Sequence, residues 1–594
     1  MAPPPGPAIA AAPSPPLGAL ATSPHRSGSW RAPALLLAVF LGLALAMFGR
    51  GVFGGVGSFP GSGTDPALFM WDLEWVPFAL GHHLDPLVTT YIEYPSGANL
   101  MWNTSIVFPA LVMAPVTLLW GPVLSYGVLT VLAVSLSAWC GALAVRRFTA
   151  RWVPAAVGGL LYGFSPYMVA QALRHPHLDI TVYPPLALII GHELLVRRRR
   201  SPLLLGALLG VASAAQLLTG EELLALTVLM VAIVLATLAL LRSREVGSAL
   251  RRAGPAAAAA AASFAVLAAY PLDVQLFGPQ RVTGRFWVLD IYKAGPREFV
   301  QPSALQWIAP FGRLGWVDTS VYIGVPLILL TVGTVVWLRR RAIVRVAAVA
   351  LVAAVVLALG DRVQVGGVAV PMPWALVEHL PLVADALPIR MMLFGFLALA
   401  VLVGVFLDAG LGLGDARLRV GAALAALVAL VPLIPSLPYP ASRFAIPAFF
   451  TDGQAAGLSQ AGSVLLTPYA VVDSGVEPLL WQAVSAMSFR TEQGLAFVPT
   501  VPPSSRPHWG APQDALGTEL TILGSGARLA PASLTAAQRQ AYLVDLRAYD
   551  VQSVVVGPSP GEGQVARFMS ELLGRPGVST GGVVVWYHLP VPPA

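Results

Sequence analysis

Charge is scarce in this 594-residue sequence. Asp, Glu, Lys and Arg make up 11% of it, against roughly 25% in soluble domains. A soluble enzyme of this length needs more charged surface than that. A disordered chain is excluded as well, because 56% of the residues are hydrophobic. Cysteine is nearly missing: Cys140 stands alone, so no internal disulfide can form and a secreted disulfide scaffold is ruled out. Lys293 is the only lysine; every other basic side chain is Arg. With abundant Ala, Gly and Pro, this is the usage of a GC-rich bacterial genome. No repeat of known period occurs, and residues 441–594 show no P-loop or Rossmann glycine pattern. A polytopic membrane protein remains, with a mean hydropathy of +0.73.

The net charge of +7 and pI near 9.7 would suit a nucleic-acid binder, but the distribution does not. From Ala441 onward eight Arg face ten Asp and Glu, so the first 440 residues hold a net +9. There the Arg fall in short clusters between apolar runs, the topology signal of a membrane protein. Residues 1–31 are expected to form a disordered cytoplasmic tail. A cleaved signal peptide is the competing reading of residues 1–50, and a retained span at about 32–52 is favoured because the apolar run starts late. Further runs lie near 122–145, 152–172, 178–196, 201–219, 221–242, 253–275, 318–338, 341–360, 388–410 and 417–437.

Residues 105–120, broken by Pro109 and Pro115, decide the topology. If they cross the bilayer, every later Arg cluster lands outside. If they lie at the interface or re-enter, all clusters land inside. The second reading gives eleven spans in a domain over 32–440, with a long first external loop at 53–121. Residues 441–594 are then an extracytoplasmic α/β domain, with strands at 463–467, 553–557 and 583–588 and helices at 534–549 and 561–573. The expected class is mainly α: a transmembrane helix bundle in the inner membrane, N-terminus cytoplasmic.

The span interiors hold almost no ionisable groups; acids and histidines gather on the outer side. Asp65-Pro66 reads as a helix cap followed by Pro at the first helical position. A helix from Pro66 to about Leu80 would carry Trp71 and Trp75 on one broad face and suit the headgroup region. Asp65 and Asp72 share a side of it, and Glu74 points elsewhere. Asp65 can be a cap, a catalytic base, or both. His175, His177 and Asp179 can bind a divalent metal or a phosphate, or sit at the interface without a ligand. Glu221 and Glu222 can pair with the N-terminus of their own helix. His82-His83 beside Asp85 is a solvated turn in the plainest reading. Arg174, Arg281, Arg285, Lys293, Arg297, Arg313, Arg362 and Arg390 break the positive-inside trend. An anionic substrate such as a lipid phosphate explains them, as does pairing with nearby acids. Asn103-Thr104-Ser105 matches a glycosylation sequon.

Several motifs resemble the GT-C superfamily of membrane glycosyltransferases, its bacterial YfhO-like branch above all. They are GTDP at 63–66, Trp71 with Trp75, LDPL at 84–87, EYPSGANL at 93–100, GGLLYGFSPY at 158–167, HPHLD at 175–179, YIGVPLILL at 322–330 and LPIRMMLFGFLALA at 387–400. The resemblance covers most of 32–437. It implies transfer of a sugar, with inversion, from a polyprenyl-phosphate donor to a glycan, lipid or protein acceptor at the outer face. The superfamily's first-loop acid falls on Asp65, with Asp72 second. A paired acid directly after the first span is missing here. Arg174, His175, His177, Glu222, Lys293 and Arg390 are the implied substrate or phosphate contacts. Membrane lipids are partners and nucleic acid is not; no nucleotide cofactor is implied and a divalent metal stays open. A transporter or lipid flippase should show mid-membrane polar groups and an internal repeat. A non-enzymatic envelope scaffold should act through residues after Pro440 alone.

Overall fold

The computed structural model describes the chain except residues 1–29, 283–291, 310–320, 381–382, 459–460, 471–474, 500–507, 511–513 and 590–594. Arg285, Asp290, Arg313 and Asp318 therefore lie outside the described residues. Among the described residues fourteen helices build the apolar part: α1 (Arg31–Val52), α2 (Asp65–Gly81), α3 (Val107–Val145), α4 (Trp152–Gly163), α5 (Pro166–Gln171), α6 (Pro176–Asp179), α7 (Tyr183–His192), α8 (Pro202–Leu217), α9 (Glu221–Arg252), α10 (Gly254–Phe277), α11 (Val325–Leu338), α12 (Ala342–Ala358), α13 (Met392–Gly410) and α14 (Ala416–Leu430). Among the described residues eight helical stretches are long and apolar enough to cross a membrane. α8, α11 and α12 are apolar but shorter. The protein is a multi-pass membrane protein. α13 is apolar all round and buried along nearly its whole length, as befits the bundle's central helix. α3, α4, α11, α12 and α14 pack around it.

Two expectations about the first loop need correction. The broad Trp face of α2 does not rest on headgroups: Trp71, Leu73, Trp75 and Val76 are all buried, because α3 covers one side and α16 (Glu477–Val484) another. Trp71 and Trp75 stack at 5.4 Å, and the Trp71 indole N–H donates to Gln482 Oε1. Nor is Asp65 a helix cap. It is the first helical residue, Thr64 holds the cap position, and no side chain caps this helix.

α3 is two arms rather than one rod. Gly121 breaks it with φ 83° and ψ 167°, a left-handed backbone that favours glycine. Thr117 Oγ1 donates to Ser125 Oγ at 2.7 Å, whereas eight residues of straight helix rise about 12 Å. Leu118, Leu119 and Trp120 are exposed at the bend.

Among the described residues there are twelve short strands: β1 (Ser58–Pro60), β2 (Val88–Thr89), β3 (Ala98–Asn99), β4 (Arg362–Val365), β5 (Val368–Pro371), β6 (Ala441–Arg443), β7 (Ser463–Thr467), β8 (Phe497–Val498), β9 (His508–Trp509), β10 (Val551–Val556), β11 (Val578–Thr580) and β12 (Val583–Trp586). β11-β12-β10-β7 form one sheet, with β10 and β7 parallel. Alternation splits its core in two. Leu465, Val554 and Val556 face α17 (Ala515–Gly524), α18 (Ala536–Ala548) and α19 (Glu562–Leu573), while Val464, Leu466 and Val555 face Phe449, Phe450 and Trp481. This α/β unit is welded to the first loop. The Thr491 N–H donates to Tyr91 O at 2.9 Å, Tyr94 N–H to Thr491 O at 3.1 Å, and β1 pairs with β6. The Phe497 N–H takes Asn103 Oδ1 at 2.7 Å, and Asn103 Nδ2 donates to Asn99 O. The sequon asparagine thus serves as a structural clamp.

Glu492 lies in this seam, 3% exposed. Burial pushes its carboxyl up to about 8 from 4.5. Between those values the folded chain keeps a proton that the unfolded chain has released, so stability falls as pH rises through the window. Glu492→Gln is expected to flatten the melting temperature between pH 5 and 9, where wild type declines. An equal decline in both would show another group responsible.

Candidate functional site

Three segments converge beside the start of α2. β1 leads into Gly61-Ser62-Gly63-Thr64-Asp65, which lies flat on the turn between α5 and α6. The Ser62 N–H donates to Leu173 O at 3.0 Å, and the Gly61 N–H to Pro440 O at 2.8 Å. A Cβ at Gly61 would collide with the Leu173 carbonyl; glycine permits the approach. Arg174 lays its guanidinium over Gly63. The Tyr439 hydroxyl donates to Val169 O at 2.8 Å and ties in the third segment.

Freed from capping, the Asp65 carboxylate turns to His175: Oδ2 lies 3.0 Å from Nε2. His175 Nδ1 lies 3.1 Å from Gln171 Oε1. Burial alone would raise the Asp65 carboxyl. The His175 hydrogen bond, the charges of His175 and Arg174, and the Thr64 hydroxyl outweigh it and hold the group below the usual range. The Asp65 side chain keeps one third of its surface open, 33%, against 13% for His175. An accessible, ionised carboxylate is what a general base requires.

The other candidates sit as follows. His177 is buried one step deeper, between Phe69 at 5.4 Å and His175 at 5.8 Å. Gly220, just ahead of α9, rests against it. Glu222 follows and forms an ion pair with Arg390; its Oε1 also accepts the Leu387 N–H at 2.7 Å. Neither Glu221 nor Glu222 caps its own helix: Glu221 accepts from Gln275 Nε2 at 2.6 Å. Lys293 lies further along, 3.4 Å from Asp361. Asp72 shares Asp65's side of α2 two turns on, 2% exposed, its carboxyl pushed well up by burial. The His175, His177 and Asp179 metal reading is not supported. Among the described residues no three His, Cys, Asp or Glu side chains form a metal-holding group, because His175 is turned to Asp65 and Asp179 is buried in the bundle.

Four buried polar atoms around this strip have no hydrogen-bond partner among the described residues: Arg174 Nε, His177 Nδ1, Asp179 Oδ1 and Tyr167 Oη. Each such orphan costs about 1–3 kcal/mol, so a group of them marks a place suited to a polar guest or water. Gln171 has no signal of its own in the sequence, and Tyr167 enters it only as the last residue of the 158–167 motif. They sit in apolar runs, where tyrosine and glutamine read as core; only the HPHLD turn four residues after Gln171 hinted at its role.

Behind the strip opens an apolar cavity of about 980 Å³. Leu209 of α8, Phe264 of α10, Leu235 of α9, Val346 of α12 and Leu397 of α13 contribute to its walls. It runs along α9 from Glu221 to Ala249, roughly 40 Å of helix. That exceeds the ~30 Å hydrocarbon core of a bilayer.

Residues 73–383, just over half of the chain, match the family described as a domain of unknown function, DUF6311. No curated protein matches the sequence. Among solved structures, the mycobacterial arabinofuranosyltransferase AftD aligns over 95% of this chain and 40% of its own, with TM-score 0.55 and 16% identity. The chain thus spans about two fifths of that protein's length. The oligosaccharyltransferase AglB of Archaeoglobus fulgidus aligns over 89% and 70%, with TM-score 0.49 and 11% identity. ArnT of Cupriavidus metallidurans aligns over 93% and 97%, with TM-score 0.42 and 12% identity. The likeness to AftD shows a shared fold, the GT-C fold of membrane glycosyltransferases.

Proposed function

The chain belongs to the DUF6311 family, and we propose that it is a membrane glycosyltransferase of the bacterial YfhO-like kind. It takes a sugar from a polyprenyl-phosphate donor and passes it to an envelope acceptor at the outer face of the inner membrane. The observation that carries the reading is an accessible, ionised Asp65 linked through His175, His177 and Gly220 to the Glu221 end of an apolar cavity as long as the membrane is thick. A lipid-linked sugar needs both, a polar site for its head and a dry channel for its tail.

In this reading Asp65 accepts the proton of the acceptor hydroxyl. The hydroxyl oxygen bonds to the anomeric carbon while the bond from that carbon to the phosphate oxygen breaks. The electron pair leaves on the phosphate, and the anomeric configuration inverts. His175 orients Asp65 and keeps it ionised. Arg174, His177 and the Glu222–Arg390 pair face the charge that develops on the leaving phosphate.

The direct test is mass spectrometry of lipid bound to the purified protein, then transfer from a synthetic polyprenyl-phosphate sugar. Ala232 and Ala261 line the cavity and are open to it. Ala232→Phe with Ala261→Phe is expected to lower bound polyprenyl phosphate several-fold at an unchanged melting temperature. Undiminished lipid in the folded double variant would remove the cavity from the reading.

A further inference from the structure

We propose that the β4–β5 hairpin seats its valine face in the bilayer leaflet at the Asp65 end of the bundle, beside the cavity. The register opposes Arg362 to Pro371, Val363 to Val370 and Gln364 to Ala369. Opposed residues share a face and successive ones alternate. One face therefore carries Val363, Val368 and Val370; the other carries Arg362, Gln364, Ala369 and Pro371. Gly366 and Gly367 close the turn at φ 58° and 84°, matching the two-residue turn that demands positive φ at both positions.

A lone two-stranded hairpin is marginal in water, and an amphipathic one lays its apolar face on something. Val368 is 65% exposed and Val370 40%. Just beyond, Leu376 is 82% and Leu380 47% exposed, so the uncovered apolar surface continues past the hairpin. Arg362, on the opposite face, holds Asp361 at 2.7 Å.

Where the hairpin hangs decides what covers it. α12 is an apolar helix of the bundle and ends at Ala358, four residues before β4. Met372 N–H closes on Asp361 O at 2.7 Å, so the hairpin root is fixed at that helix end. Lys293 holds the same Asp361. Neighbouring Tyr292 O accepts the Ile389 N–H, which ties the root to the Arg390 segment of the site. A four-residue strand reaches only about 13 Å, so the whole hairpin stays near the bilayer boundary. Leu380 and Val383 line the cavity. Seated in lipid, the hairpin holds this roof against the leaflet; on the transferase reading, that is the leaflet from which the donor enters.

The test uses the full chain in nanodiscs of phosphatidylcholine and phosphatidylglycerol. Cys140, buried and the only cysteine, is replaced by Ala. Val368→Cys or Gln364→Cys then carries a nitrobenzoxadiazole label. Doxyl-labelled lipids are expected to quench the label at 368 several-fold more than at 364, and aqueous iodide to show the reverse order. Equal iodide quenching at both positions overturns the proposal, since the valine face is then in water. Protection of 368 from both quenchers overturns it too, since protein is then the cover. Neither measurement needs turnover, so failure of the transferase reading is distinguishable from failure of this one.

Discussion

Asp65→Asn is expected to lower transfer by roughly 10²–10⁴-fold, the range that a positioned general base contributes, while the protein still accumulates folded and its melting temperature drops only by what the ionised carboxylate contributes. The second half matters as much as the first. Asp65 caps no helix, so the substitution removes no cap. Asn keeps the shape and an acceptor oxygen for His175, so the loop over the α5–α6 turn keeps its hydrogen bonds. Proton acceptance is lost, together with the negative charge that His175 and Arg174 stabilise. His175→Gln acts on the same group from outside. Without the imidazole, burial is opposed chiefly by the Arg174 charge, so the Asp65 carboxyl titrates higher. The acid limb of the pH–rate profile is then expected to move to higher pH, with activity partly regained at alkaline pH. The linked stability has the matching sign: the depressed Asp65 contributes above its unfolded value and is lost as pH falls through its folded one. Wild-type turnover by Asp65→Asn would sink the base assignment.

What the sequence made legible, and what it hid, divides by distance along the chain. Apolar runs are local, and each of the eleven carries a helix in the structure, because dry segments between Arg clusters leave the chain few choices. The strands expected at 463–467, 553–557 and 583–588 are local signals too, and the structure has them at Ser463–Thr467, Val551–Val556 and Val583–Trp586. Asp65 was singled out but its environment was misread. Asp-Pro at the head of an apolar stretch is a local cap signal, and the partner that actually holds the carboxylate is His175, 110 residues away. The broad Trp face of α2 likewise looked interfacial, because its cover comes from α16, about 400 residues later. Burial by a distant element leaves no mark in a helix's own periodicity. Gln171 is the sharpest case: its side chain holds Nδ1 of His175 at 3.1 Å, yet nothing in its neighbourhood separates it from a core residue. The Glu222–Arg390 pair was half visible, since both residues were named, one as a helix-end carboxylate and one as an outlying cation.

That pair yields the largest expected stability effect. Both side chains are mostly shielded, 13% exposed for Arg390 and 16% for Glu222. Glu222→Gln leaves the guanidinium charged in a place that water scarcely reaches. Breaking a buried pair from one side costs on the order of 3–5 kcal/mol, partly offset here because the amide oxygen can still take the Leu387 N–H. A clear drop in melting temperature in detergent is expected, with loss of transfer. Replacing both partners, Glu222→Leu with Arg390→Met, removes the charge along with its partner, and burying apolar groups of similar size is often neutral. Most of the stability should return. Transfer should not, because Arg390, whose charge reaches His177, is then no longer there to answer the charge growing on the phosphate. A stable double variant that transfers sugar at the wild-type rate would reduce Arg390 to a structural brace and shift the phosphate contact to Arg174.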